Sequence, residues 1–191
     1  MTLPNTNNEF YLDEYFAKLD IIIGNILLRH ENNNLTFDIL DTEKSIKNKL
    51  LSLKEKQRQM KIGEIWQEVL GNYDQFINLK NGDITGLDII SNTKKIIIEL
   101  KNRTNTDNAS SKKSNFEKLA KFKRENPEYK CIYANINDAT QKKTLQGCNK
   151  IIVYNGVEIE IQVGYTFLTF IFGKNTERII EFVKNTIDKY T

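Results

Sequence analysis

The chain has 191 residues, 39% of them hydrophobic, and a net charge of +3 from 28 Lys and Arg against 25 Asp and Glu. That suits one folded domain with a core, weakly basic and so compatible with DNA binding without requiring it. No apolar run of about 18 residues and no leader-like segment stands in it, which argues against a membrane-spanning protein. A single histidine, His30, and two cysteines, Cys131 and Cys148, without metal-type spacing argue against a zinc finger and against nucleases built on paired histidines. His30 reads as a surface residue ending a helix, and a disulfide is not expected.

Residues 1–8 are polar and expected to fray. Residues 10–28 carry Leu12, Tyr15, Phe16, Leu19, Ile22, Ile23, Ile26 and Leu27 at helical spacing, interrupted by Gly24. Asn32, Asn33 and Asn34 mark a loop. Asp41 or Thr42 is placed to cap a charged helix from Glu43 to about Leu70, either continuous or as two helices meeting near Met60. Its last part turns Ile62, Ile65, Trp66, Val69 and Leu70 to one side and Glu64, Gln67 and Glu68 to the other. Residues 1–60 thus read as a mainly helical N-terminal part, and 61–191 as the core of the same domain.

After the Asn81-Gly82 turn, residues 86–101 read as a β-hairpin. Asp88 begins its first strand, Ser91-Asn92-Thr93 turn the chain, and residues 95–100 form an apolar second strand. Glu99 and Lys101 project to one face of that strand, and the antiparallel partner brings Asp88 alongside them. Two carboxylates and an ammonium then converge. Such a cluster suits a hard divalent cation such as Mg²⁺, which takes oxygen ligands and keeps several waters. The lysine would position a water while the metal stabilises charge on a phosphate oxygen. The same spacing also arises in a hairpin whose charges are merely solvated. Asp83 is a rival for the first carboxylate, but it belongs to the turn, whereas Asp88 borders the strand.

Residues 102–114 are polar throughout, and Asn102, Arg103, Asn105, Thr106, Asn108, Ser110, Ser111, Lys112 and Lys113 are candidate DNA contacts. Amides suit adenine edges, arginine suits guanine, and hydroxyls and lysines suit phosphates. A polar linker is the plainer alternative. A helix over 115–125 follows, then a strand over 129–136, which the crossover makes parallel to the Glu99 strand. Residues 139–146 read as a short helix. Residues 150–154 and 158–163 form a hairpin about Asn155-Gly156, with Glu158 and Glu160 on the exposed face of an edge strand. Residues 166–172 read as a further strand or a dimer contact. The last helix is capped by Asn175 or Thr176 and carries Ile179, Ile180, Phe182, Val183 and Ile187 as its stripe.

Asp88, Glu99 and Lys101 in this arrangement resemble the PD-(D/E)XK nuclease motif, with Gly86-Leu87 where a proline often precedes the aspartate. Many nucleases of this class carry one more acidic residue on the helix before the hairpin, a place that Glu64 or Glu68 fits. Lys101-Asn102-Arg103-Thr104-Asn105-Thr106, with Ser110-Ser111-Lys112 after it and Ile62-Gly63-Glu64-Ile65-Trp66-Gln67 before it, is similar to type II restriction endonucleases that read GGNCC or GGWCC sites. The resemblance covers residues 61–123. It implies an α/β fold, a mixed sheet flanked by helices. It further implies Mg²⁺-dependent cutting of both strands of a short palindrome in double-stranded DNA, by a homodimer that leaves 5′-phosphates. A separate cognate DNA methyltransferase and a cytoplasmic place in a bacterium or archaeon go with such an enzyme. Two other readings stay open: a structure-specific repair or recombination nuclease of the same fold, and a DNA-binding module without catalysis.

Overall fold

The strand that follows the hairpin turn is covered on both sides, with Ile97 and Ile98 fully buried on opposite faces. In this computed structural model, residues 7–29, 38–80, 82–103, 109–137 and 149–191 are described. Among them run helices α1 (Asn7–Leu28) and α2 (Glu43–Gly71) and strands β1 (Ile77–Asn78), β2 (Ile89–Ser91) and β3 (Ile96–Arg103). Helix α3 (Ala109–Glu125), strands β4 (Lys130–Asn137), β5 (Lys150–Tyr154) and β6 (Val157–Val163), and helices α4 (Gly164–Phe172) and α5 (Thr176–Tyr190) complete the order. The strands form one mixed six-stranded sheet in the order β1-β2-β3-β4-β6-β5. The pairs β3–β4 and β4–β6 are parallel and the others antiparallel. This is the α/β, helix-flanked architecture expected, with α3 as the crossover between β3 and β4.

Helices cover both faces. Ile89, Ile96, Ile98, Leu100, Ile132 and Ala134 pack with buried residues of α1, α2, α4 and α5. Ile97, Cys131, Tyr133, Ile159 and Ile161 pack with Phe116, Leu119 and Ala120 of α3. The two clusters alternate along β3 and β4, as a strand buried on both sides requires. Cys131 is a free, buried thiol, held well above its usual pKa by burial, at about 11.

Several expectations change. Helix α2 is continuous through Met60, so of the two alternatives for residues 43–70 the single helix holds. Of the two candidate caps the structure selects Thr42, which exchanges hydrogen bonds with Ser45, while Asp41 accepts from the side chains of Ser45 and Lys49. Gly24 does not break α1. A Cβ there would come within 2.8 Å of the Tyr190 ring, so its role is to admit α5. Residues 166–172 are helix, not strand: Phe167, Leu168, Ile171 and Phe172 are buried at helical spacing. Their aromatic and β-branched composition suits strands, but the sheet already ends at Val163, and Gly164 turns the chain with φ 56°. Strand β6 is interior rather than an edge, because β5 lies outside it across the Asn155-Gly156 turn. The polar stretch after Lys101 is shorter than expected, since β3 continues to Arg103 and α3 begins at Ala109. Residues 1–6, His30, the Asn32–34 run, the 139–146 helix and Cys148 lie outside the described residues.

The last turn of α2 lies almost on the backbone of β1. A Cβ on Gly71 would stand 2.5 Å from Asn78 N and 2.7 Å from its Cα. Neither can swing aside as a side chain can, so Gly71→Ala is expected to cost about 1–3 kcal/mol of stability. Urea denaturation followed by circular dichroism measures it; an unchanged midpoint would mean that the helix and strand do not meet this closely.

Candidate active site

The hairpin brings the expected carboxylates together. Ile89 pairs with Ile98, and one step further along that register sets Asp88 beside Glu99. Asp88 N donates to Ile98 O at 3.1 Å, and Leu100 N donates to Asp88 Oδ2 at 2.7 Å. Lys101 Nζ lies 2.5 Å from Glu99 Oε1. Glu99 and Lys101 alternate with Ile98 and Leu100, so they face the α3 side together with Ile97. Asp83 is not part of the group: it accepts from Thr85 in the preceding turn, and these bonds hold its carboxyl below the usual range.

Glu99 is 2% exposed, and its Oε2 has no hydrogen-bond partner among the described residues. Burial pushes the Asp88 and Glu99 carboxyls above their usual pKa, and the Asp88 charge pushes Glu99 further. Lys101 and Lys118 act against this on both, as does the Leu100 amide on Asp88. Two crowded carboxylates with an unengaged buried oxygen fit a hard cation such as Mg²⁺, whose charge removes their repulsion. Among the described residues no group of three or more His, Cys, Asp or Glu could hold a metal. A cation here would draw on Asp88, Glu99 and water, within what Mg²⁺ accepts.

The two helix glutamates have other partners. Glu64 forms a paired contact with Arg29, at 3.0 and 2.8 Å, and both line a cleft of about 490 Å³ together with Gln67 and Glu68. Glu68 is buried and accepts from Asn72, Asn78 and Lys80. The residue of α2 that meets Asp88 is Gln67, whose Nε2 donates to Asp88 Oδ1 at 3.0 Å. It lies on the helix face that the spacing had marked, but an amide supplies a hydrogen bond where an acid would supply a ligand.

Of the candidate DNA contacts, Asn102 lies in β3 and accepts from Asn137 Nδ2 at 2.8 Å. Ser110, Ser111, Lys112 and Lys113 are exposed on the first turns of α3 rather than in a loop, and the Lys112 ammonium stands 5.9 Å from the Phe116 ring centre. Arg103 ends β3; Asn105, Thr106 and Asn108 lie outside the described residues. Two further residues of the site were not legible from spacing. Lys118 of α3 donates to Gly86 O at 3.1 Å and adds its charge to both carboxylates. Asn135 of β4 is paired in register with Lys101, is buried, and keeps Oδ1 without a hydrogen bond among the described residues. Both depend on the crossover through α3.

Because the folded-state values are raised, ionisation of this pair works against folding. Below the unfolded value of 4.5 the Glu99 carboxyl is protonated in both states and contributes nothing; above its raised folded value the full penalty is present. Metal-free Glu99→Gln is therefore expected to melt above the parent at neutral pH, with the gap closing as pH falls through the raised value. Mg²⁺ should raise the melting temperature of the parent and not of the variant. A parent more stable than the variant at neutral pH without metal would contradict this electrostatic account.

The profile of the Eco47II restriction endonuclease family matches residues 22–175, which include the hairpin, α2 and the crossover. No curated protein matches the chain. The match spans most of the 191 residues, and the mixed, helix-flanked sheet is the architecture of a restriction-endonuclease-like fold. The chain belongs to the Eco47II restriction endonuclease family.

Proposed function

We propose that this protein is a type II restriction endonuclease that cuts both strands of double-stranded DNA at a short palindrome, with Mg²⁺, and leaves 5′-phosphates. The observation that carries the reading is the convergence of Asp88, Glu99 and Lys101 at the hairpin, inside the region matched to the family. Asp88 and Glu99 are the residues that would hold Mg²⁺. When bound, the ion supplies charge stabilisation at the phosphate oxygens. Gln67 and the Leu100 amide each hold one oxygen of Asp88, which fixes the plane of that carboxylate. Lys101, anchored on Glu99, orients the attacking water in line with the 3′ oxygen it displaces. Lys118 adds positive potential beside the phosphate.

The sites proposed are of GGNCC or GGWCC type, from the run that follows Lys101. Arg103, Asn105, Asn102, Thr106 and Asn108 are assigned to base edges and nearby phosphates, and Ser110, Ser111, Lys112 and Lys113 to the backbone. A palindrome presents two antiparallel strands, and a 22.3 kDa chain with one hairpin site serves both most simply as a homodimer. A separate methyltransferase protecting the same site, and a cytoplasmic place in a bacterium or archaeon, complete the proposal. No described helix is long and apolar enough to cross a membrane.

Digestion of a mixed-sequence plasmid with Mg²⁺ is expected to give discrete bands whose mapped ends define the site. A smear would point to a structure-specific nuclease, and intact plasmid to a binding module. Asp88→Ala and Glu99→Ala should abolish cutting, and Lys101→Ala should slow it about 100-fold or more while DNA binding persists. Undiminished cutting by Asp88→Ala would remove the assignment. In Ca²⁺, where binding is expected without cleavage, Arg103→Ala should cost about 1–3 kcal/mol on the cognate site and blur base choice. Lys112→Ala should weaken cognate and random duplexes alike. Equal losses on both duplexes for Arg103→Ala would make it a phosphate contact.

A further inference from the structure

Helix α2 is longer than its packing requires. Its buried residues, Ile65, Glu68, Val69, Leu70 and Gly71, all lie in its last two turns. None of residues 43–60 is buried, and at about 1.5 Å per residue they make an arm roughly 27 Å long. This arm holds Lys44, Lys47, Lys49, Lys54, Lys56 and Arg58 against Glu43 and Glu55, a net charge of +4 where the whole chain has +3. The remainder of the chain is thus slightly acidic. Lys49 pairs with Asp41 at 2.6 Å and Arg58 with Glu55 at 3.7 Å. Lys44, Lys47, Lys54 and Lys56 are exposed and have no acidic partner among the described residues.

A row of Ile46, Leu50, Leu53, Gln57 and Met60, spaced alternately four and three residues apart, follows one side of the arm. That spacing suits a coiled coil with a second copy, but the flanking positions reject it. Lys47 and Lys54 border one side of the row, Lys49 and Lys56 the other, so either orientation of a self-pair sets lysine against lysine. An anionic partner fits instead. The same row continues into Glu64 and Gln67, and Gln67 touches Asp88, so the arm extends from the candidate active site itself. Lys56 and Lys44 lie about 16 Å and 35 Å along the helix from Gln67. At about 3.4 Å per base pair, these distances correspond to phosphates roughly five and ten base pairs from the cut.

Building on the endonuclease reading, we propose that residues 43–60 form a DNA-binding arm that takes the phosphate backbone of duplex outside the recognition site, through Lys44, Lys47, Lys54 and Lys56. These contacts carry no base information. They add affinity only when the duplex is long enough to reach them, and they strengthen the salt dependence by about 0.9 in log–log slope per phosphate met.

The test compares the parent with Lys44→Gln/Lys47→Gln/Lys54→Gln/Lys56→Gln, in Ca²⁺, on labelled random-sequence duplexes of about 8 and about 30 base pairs. Unchanged circular dichroism establishes that the variant keeps its helix. The variant should lose most of the parent's preference for the long duplex. On that duplex the parent should lose about 100-fold more affinity than the variant between about 50 and 200 mM salt. A parent that binds DNA, with a variant that keeps its length preference and salt slope, would overturn the arm and leave the endonuclease reading standing. A parent that binds neither duplex would overturn both. Conversion of a DNA-free dimer to a monomer by Leu50→Gln/Leu53→Gln, seen in sedimentation, would assign the arm to a second copy and overturn the inference.

Discussion

Two carboxylates crowded side by side, the buried Glu99 and the half-buried Asp88, are the constraint that the rest of this protein serves. Placing like charges together out of water is unfavourable, and both groups are accordingly pushed toward protonation. What holds them is the pairing of β2 and β3, in which a slip of one residue would turn Glu99 and Lys101 to the opposite face. The neighbours that offset the repulsion come from three separate elements of the chain. Gln67 reaches in from α2, the Leu100 amide and Lys101 belong to β3, and Lys118 comes from α3. A cation at the pair would complete this arrangement, which is why the same feature reads as both a local weakness and a functional site.

The packing around β3 makes that register rigid. Apolar residues on both faces of the strand are covered by helices, so it moves only if two cores move with it. The close approach of Gly71 to Asn78 ties the end of α2 to the sheet edge, four residues from Gln67. Glu68, with Asn72, Asn78 and Lys80 on its carboxylate, ties the same corner by hydrogen bonds. The helix that supplies Gln67 is thereby fixed against the strand that receives it.

Charge is divided along α2. Its last turns carry the contacts that organise the site, and its first eighteen residues carry more positive charge than the entire chain nets. A body close to neutral with a basic projection concentrates its attraction for a polyanion in one direction, which favours oriented encounter over general stickiness. The α3 lysines 112 and 113 sit on another helix that leads away from the same hairpin. Membership of the Eco47II restriction endonuclease family makes DNA the natural counterpart of both.

Asp88, Glu99 and Lys101 were legible because a hairpin has period two and its turn residues are local, so spacing alone brings them to one face. The same holds for the Asn155-Gly156 hairpin and the cap at Thr42, each set by neighbours a few residues apart. Residues 166–172 were not legible, since aromatic and β-branched side chains suit a strand until the sheet leaves no position for one. The place of β6 inside the sheet was likewise decided by its pairing with β4, which no local pattern encodes. On α2 the spacing marked the correct face, but only the angle at which the helix meets the hairpin chose Gln67 over Glu64 and Glu68. Lys118 and Asn135 entered the site through a crossover that brings distant segments together. Local periodicity determined which side chains could share a face; burial of both sides of β3 decided which of them meet.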